Sequence, residues 1–481
     1  MGNPIDKQAK STLLPLTIVS GNSIPLSIMN TSADRFVHRL SYWRCFCLIA
    51  TLSWCVFGSA YAATVLHWMT LSDNTWPGNI KKVVAAFEAQ NPDIKIQLDT
   101  YPFRDLFETI EVRMKAQDKD VDLISVDVPL VASYSVRGYL APLDAYFSKD
   151  QIEKTWIKAS WQAGMYNGHF MAAPQNTSTQ FMFVNRKLFR DAGIEPPKGL
   201  TSDQTVTYDQ VAQIAANDRW TWEQVVDAAK KLTKTENGRT DVWGFEFDQV
   251  SRLYQLQCLG DSLGATLVGP DGLTAQGYFN SPGWLKAAQW YGDLFNKWKI
   301  SPKNVTPDES PSLFSGGKVA IFVGGEWNVG RFKEAGVDFE VAPIPYFKEG
   351  KPASGTGSWH VGISKNSQHQ PEAAKFIQFL CASDAGATVW FDGQGQSPAM
   401  IALWNKISAD PKFHTFPDDA YLLGDYEAQR TAVPRPLTPA YLQLEDIFAS
   451  TCEDIRNGVD PKEALDGAAQ RLDVFFAQFK R

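Results

Sequence analysis

Two tryptophans in this 481-residue chain follow short glycine runs: Trp327 after Gly324-Gly325-Glu326, and Trp359 after Gly357-Ser358. Glycine lets a backbone come close to a ligand, and an indole face stacks on a flat apolar one. Asp127 ends an apolar run, and Arg435 stands before Pro436 in a loop-like stretch. A carboxylate and a guanidinium make charge-assisted hydrogen bonds about twice as strong as neutral ones. These side chains can hold a small polar molecule. The usual patterns for transforming one are missing: there is no G-x-S-x-G, no H-E-x-x-H and no phosphate loop. The six His are scattered, without H-x-H or H-x-x-x-H spacing, and His67 and His360 read as hydrogen-bonded structural residues. Asp and Glu are plentiful, so their presence does not single out a glycosidase pair, which needs two carboxyls about 5–9.5 Å apart. No catalytic residue, metal ligand or cofactor is assigned.

Such groups need a frame. Val65 to Met69 reads as a first strand, and Ile80, Val83, Val84 and Phe87 recur at helical spacing up to Asn91-Pro92. Ile94 to Leu98 alternates like a strand, Phe103, Leu106, Phe107, Ile110 and Met114 make a second helical face, and Val121 to Val126 is a short apolar strand. This strand–helix alternation predicts an α/β fold with a parallel or mostly parallel sheet covered by helices. Phe181 to Val184 is strand-like. Thr221-Trp222-Glu223-Gln224 opens a helix as a capping box, in which the Thr hydroxyl meets a free backbone N–H and the Gln reaches back. Residues 199–220 read as a polar insert. Further helices are expected near 284–297, at 371–381 with Pro371 in the first turn, and after Asp460 with Leu465, Ala468, Leu472 and Phe476 facing inward.

The net charge of −7 argues against nucleic acid as a partner, because a phosphate binder needs a basic face. Arg35, His38, Arg39 and Arg44 precede an apolar stretch from Cys45 to Phe57, which ends at Ala60-Tyr61-Ala62. That order describes a secretory signal peptide cleaved after Ala62, with residues 1–62 as leader and upstream extension and Met29 as a second candidate start. The apolar stretch is shorter than the ~20 residues of a spanning helix. Beyond it only Cys258, Cys381 and Cys452 remain, an odd and widely spaced set that predicts buried free thiols.

From about residue 63 onward the chain resembles the extracellular solute-binding proteins of bacterial ABC importers, the family that includes maltose- and trehalose/maltose-binding proteins. Five stretches carry the resemblance: Val121-Asp-Leu-Ile-Ser-Val-Asp-Val128 running on to Gly138-Tyr-Leu-Ala-Pro-Leu-Asp144; Ala173-Pro174 through Asn185 to Gly193 with the later Thr221-Trp222-Glu223; Phe314-Ser-Gly-Gly-Lys-Val-Ala-Ile321 to Trp327; Gly355-Thr-Gly-Ser-Trp359 to Asn366 and its helix; and Arg435-Pro436 before a helical C-terminus. The resemblance implies a two-lobed, maltose-binding-protein-like fold (type II) with discontinuous lobes joined by hinge crossings. Lobe one would take 63–175 plus 324–380 and lobe two 180–320 plus 385–481, with crossings at 176–179, 321–323 and 381–384.

The resemblance also implies a carbohydrate ligand in the cleft, delivery to an ABC transporter membrane permease, a periplasmic location and a monomer. Aromatic rings would stack on the sugar's C–H face, and bidentate groups would take its hydroxyls. The ligand-binding residues expected on this basis are Trp68, Asp73, Asp127, Gln175, Asn176, Trp327, Ser358, Trp359 and Arg435. One departure stands out. After Pro174 the run Gln175-Asn176-Thr177-Ser178 replaces the aromatic and acidic residues of trehalose/maltose-type members, so a stacking ring and a carboxylate are lost. A non-sugar solute such as a polyamine, a glycerol phosphate or an organic acid remains an alternative, as does an exported glycan-active enzyme.

Overall fold

A computed structural model describes residues 63–72, 79–306, 309–357, 359–392 and 396–480. The expected leader lies outside the described residues, as do Asp73 and Ser358. Among the described residues no helix is long and apolar enough to cross a membrane.

The chain opens with β1 (Thr64–Leu71), α1 (Asn79–Gln90), β2 (Ile94–Tyr101), α2 (Phe103–Lys115), β3 (Leu123–Asp127), α3 (Leu130–Val136) and β4 (Leu140–Ala141). A small hairpin, β5 (Met165–Tyr166) and β6 (His169–Phe170), leads to β7 (Ala173–Pro174). α2 buries Leu106, Phe107, Ile110 and Met114, the face its spacing predicts, with Asp105 in the first turn and Arg113 and Lys115 in the last, each complementing the helix dipole. β1 pairs parallel to β2 and β3.

The chain then builds a second sheet. β8 (Gln180–Asn185), α4 (Tyr208–Asn217), α5 (Trp222–Leu232), β9 (Lys234–Glu236), β10 (Arg239–Phe247), α6 (Leu253–Ser262), α7 (Pro282–Asn296), β11 (Val319–Gly325), α8 (Asn328–Glu334) and β12 (Phe339–Pro343) follow. The strand order is β12-β8-β11-β10-β9. Phe183, Phe314, Phe322, Phe332 and Phe339 interlock on one of its faces, with Phe314 and Phe332 ring centroids 4.5 Å apart.

The return to the first sheet comes through β13 (Ser354–Thr356) and β14 (Trp359–Ser364), which pairs antiparallel to β3, β4 and β7. That sheet reads β2-β1-β3-β14-β4. After α9 (Gln370–Ala382) and α10 (Asp384–Phe391) come α11 (Ala420–Arg430), β15 (Ala432–Pro434), α12 (Tyr441–Arg456) and α13 (Pro461–Phe476). α12 packs on α7 and α13, and β15 pairs with β13.

Three expectations need correction. Residues 321–323 are no crossing: they lie inside β11, paired with β8 on one side and β10 on the other. Nor do 324–343 belong to lobe one, because β12 pairs with β8. The second crossing therefore lies within 344–358. The third crossing is not at 381–384, since α10 still packs against α1 and, beyond it, Ile157 N–H donates to Ala399 O at 3.0 Å.

The stretch 199–220 is also more than a polar decoration. Thr207 and Gln210 form a capping box for α4, whose Val211 and Ala215 are buried with Leu200 and Val206 in the aromatic core. Arg219 makes a fully buried ion pair with Glu427, 2.8 Å. Cys258, Cys381 and Cys452 are free and buried, as expected, and burial raises each thiol's pKa.

Candidate ligand-binding cleft

Strand register sets the first contact of the site. Asp127 ends β3 directly opposite Trp359, the first residue of β14. The carboxylate of Asp127 takes a two-pronged contact from Arg435, which follows β15: Nη1 donates to Oδ2 at 2.9 Å and Nη2 to Oδ1. Both residues are buried. Burial works to lower the Arg435 pKa, but the facing Asp127 carboxylate more than offsets it and holds the guanidinium charged. Because Asp127 belongs to the first sheet and Arg435 leads into α12 of the second lobe, this pair ties the lobes together.

The first crossing lies beneath. The backbone N–H of Gln175 donates to Trp359 O at 2.9 Å, and Trp359 N–H donates to Asn176 Oδ1 at 2.8 Å. Asn176 Nδ2 donates to Gln396 Oε1. The Asn176 amide therefore fastens three chain segments together. The Gln175 side chain is different: it is 6 % exposed, and neither of its amide atoms has a hydrogen-bond partner among the described residues. A buried orphan of this kind costs about 1–3 kcal/mol until something bonds it.

Trp327 caps α8 and is half-buried. A Cβ at Gly325 would come within 2.2 Å of its ring, so the glycine exists to seat the indole. Trp327 lies against Tyr254 of α6, centroids 5.7 Å apart and planes 31° apart. The Tyr254 ring in turn lies 5.4 Å from the Arg435 guanidinium. Trp359 stacks on Phe107 (6.2 Å, 14°) and meets the edge of Phe103. Phe103 carries the Arg252 guanidinium at 4.2 Å, and Arg252 reaches Glu445 at 3.5 Å.

Glu326, before Trp327, accepts from the backbone N–H and, at 2.7 Å, from the hydroxyl of Ser397. Burial pushes its carboxyl up to about 8, against the lowering effect of those bonds. Ser397 O accepts from Thr177 N at 2.8 Å, so this segment is pinned to the first crossing.

The structure thus gathers Asp127, Gln175, Asn176, Trp359 and Arg435 into one neighbourhood and joins Trp327 to it through Tyr254. Trp68 is not there. It is fully buried inside the first lobe, edge-on to Phe376 at 5.2 Å, with its indole N–H donating to Ser125 Oγ at 3.0 Å. An inward-facing position on a central strand leaves it no ligand to touch. His360 is likewise structural: burial lowers its pKa to about 4, and Nε2 lies 3.0 Å from Ser160 O. Tyr254 and Phe103 were not nominated as site residues from the sequence because aromatic residues at helical spacing look like core, and Arg252 because nothing around it in the sequence marks a ligand.

Two α/β lobes, crossed more than once by the chain and meeting over aromatic rings and paired charges, define a two-lobed binding protein. The chain belongs to the bacterial extracellular solute-binding protein family, whose model matches residues 74–387. It is 25 % identical over 408 residues to the galactooligosaccharide-binding protein of Bacillus subtilis, covering 83 % of this chain and 86 % of that one. It is 22 % identical to the sn-glycerol-3-phosphate-binding periplasmic protein of Agrobacterium fabrum, over 89 % of this chain and 96 % of that one. Among solved structures, the ABC substrate-binding protein of Listeria monocytogenes in complex with cycloalternan superposes with a TM-score of 0.73 at 24 % identity, covering 86 % of this chain and 99 % of that chain.

Proposed function

We propose that this protein binds a neutral carbohydrate between its lobes, closes on it by hinge bending and hands it to an ABC membrane permease without chemical change. The observation that carries this reading is charge balance. Arg435 faces Asp127, and Arg252 faces Glu445, so each cleft guanidinium has its own carboxylate. What remains for a ligand is aromatic surface and uncharged hydrogen-bonding groups, with the Gln175 amide still to be bonded. That combination suits hydroxyls on a flat C–H face. A phosphate would want an unpaired guanidinium, and a polyamine would want surplus carboxylate.

Export as a monomer to the periplasm, after cleavage following Ala62, fits the leader pattern and the family. In the ligand-bound form Trp327 stacks on the sugar and the Gln175 amide bonds its hydroxyls, while the Asp127–Arg435 pair stays closed behind them.

A thermal-shift screen of the chain from Ala63 against mono-, di- and oligosaccharides, polyols, glycerol phosphates and polyamines tests the reading. A ligand that binds only the native state raises the melting temperature by mass action. A dose-dependent rise with one sugar class supports it. A rise with glycerol phosphates only would transfer the site to the chemistry named for the Agrobacterium relative and overturn the sugar assignment.

A further inference from the structure

Tyr254 lies against two site residues and against both chain crossings. Its ring lies against both Trp327 and the Arg435 guanidinium. Its hydroxyl lies 3.2 Å from Ser178 Oγ and 3.5 Å from Thr179 O, both in the first crossing. Its backbone carbonyl accepts from Gln180 Nε2, where that crossing enters β8. On the second crossing, a Cβ at Gly357 would fall 2.7 Å from the Tyr254 ring, and one at Gly355 would fall 3.0 Å from its carbonyl oxygen. One turn along α6, Gln257 Nε2 donates to Val433 O and Pro434 O at 3.2 and 3.1 Å, fixing the strand that delivers Arg435. Tyr254 is itself 6 % exposed, so little of it is left for a ligand.

We propose that Tyr254 is a positioning residue for ligand capture: it makes the setting of Trp327 and Arg435 and the setting of the two crossings one event. The ring fixes the indole and the guanidinium relative to each other. The hydroxyl fixes that pair relative to the hinge. A molecule whose crossings swing open must break the bond to Ser178, and that movement releases the two site residues from the hinge. The proposal rests on the reading of the site as an interlobe binding cleft, but not on which solute fills it.

Tyr254→Phe keeps the ring and its packing and removes only the hydroxyl; Ser178→Ala removes the other end of the same bond. Dyes on Cys placed at Lys115 (first lobe) and Lys187 (second lobe), both exposed, report the open-to-closed ratio of the ligand-free protein by single-molecule energy transfer, the native thiols being buried. Each single variant is expected to raise the open fraction relative to the closed one about fivefold, the worth of one net hydrogen bond. The double variant should raise it no further. Tyr208→Phe, on α4 against Asp425 of α11, should leave the ratio unchanged. An unaltered ratio in Tyr254→Phe, or single effects that multiply in the double variant, overturns the proposal. Failure of the sugar reading would appear separately, as wild-type protein that no sugar closes, and would leave the ligand-free comparison intact.

Discussion

Replacing Asp127 with Asn strips a buried guanidinium of its carboxylate while keeping the side chain's shape. The charges stand 2.9 Å apart, so their attraction at an effective dielectric of about 20 is about 6 kcal/mol. Desolvation takes back several kcal/mol per ion, which is why the intact pair contributes little net stability. Removing one partner is costly: an unpaired buried charge typically loses about 3–5 kcal/mol. This pair has an escape, however, because it lies between lobes. If the lobes part, Arg435 regains water, and the penalty cannot exceed the cost of opening. Asp127→Asn is therefore expected to open the ligand-free molecule rather than unfold it. Small-angle scattering should show a larger radius of gyration, while the urea midpoint moves by less than the full ~3–5 kcal/mol. The double variant Asp127→Ala with Arg435→Met should return towards wild-type compactness, since no charge is left stranded. Asp127→Asn with unchanged radius and unchanged stability would refute the idea that this contact helps hold the lobes together.

Other consequences follow from the same geometry. Trp327→Ala should weaken binding of the sugar found in the screen by about 1–3 kcal/mol by titration calorimetry, if the indole stacks as proposed. Trp68→Ala should destabilise the first lobe by about 3–5 kcal/mol in urea and leave the affinity of the folded protein unchanged, because Trp68 is core. Glu326 has a raised folded-state pKa of about 8, so its protonated form favours the native state. That stability is fully present below about pH 4.5 and is lost as pH rises through about 8. Glu326→Gln should remove this loss and gain on the order of a few kcal/mol over wild type at pH 8.5 in equilibrium unfolding.

The elements of the first lobe were legible because each buries one face and so writes a period into the sequence. Helix α2 and strand β2 are clear instances. The second crossing was misplaced because the resemblance alone set it at 321–323, and nothing local in Gly324-Gly325-Glu326-Trp327 marks where the chain changes lobes. In the structure, Gly324 and Gly325 are the paired end of β11, small only to admit Asp248 and the Trp327 ring. α4 was hidden by polar residues on its exposed face, although Thr207 and Gln210 spell the same capping signature that was recognised at Thr221. Asp127 and Arg435 could each be nominated from the sequence, but their bond joins positions 308 residues apart and leaves no local trace. Tyr254 looked like any apolar helix residue, since its role depends on which segments surround it.

The pairing of β3 with β14 has a consequence for how the protein comes into being. The first sheet stays unfinished, with β3 open at one edge, until the chain has run through the whole second sheet and reached residue 364. Contacts so distant in sequence form slowly, because loop closure must be met before they reward it. A chain emerging from a ribosome therefore has no complete lobe to collapse into until late in synthesis. The same β14 that completes the sheet so late also fixes Trp359 beside Asp127, so the first contact of the site forms only with that last strand of the sheet.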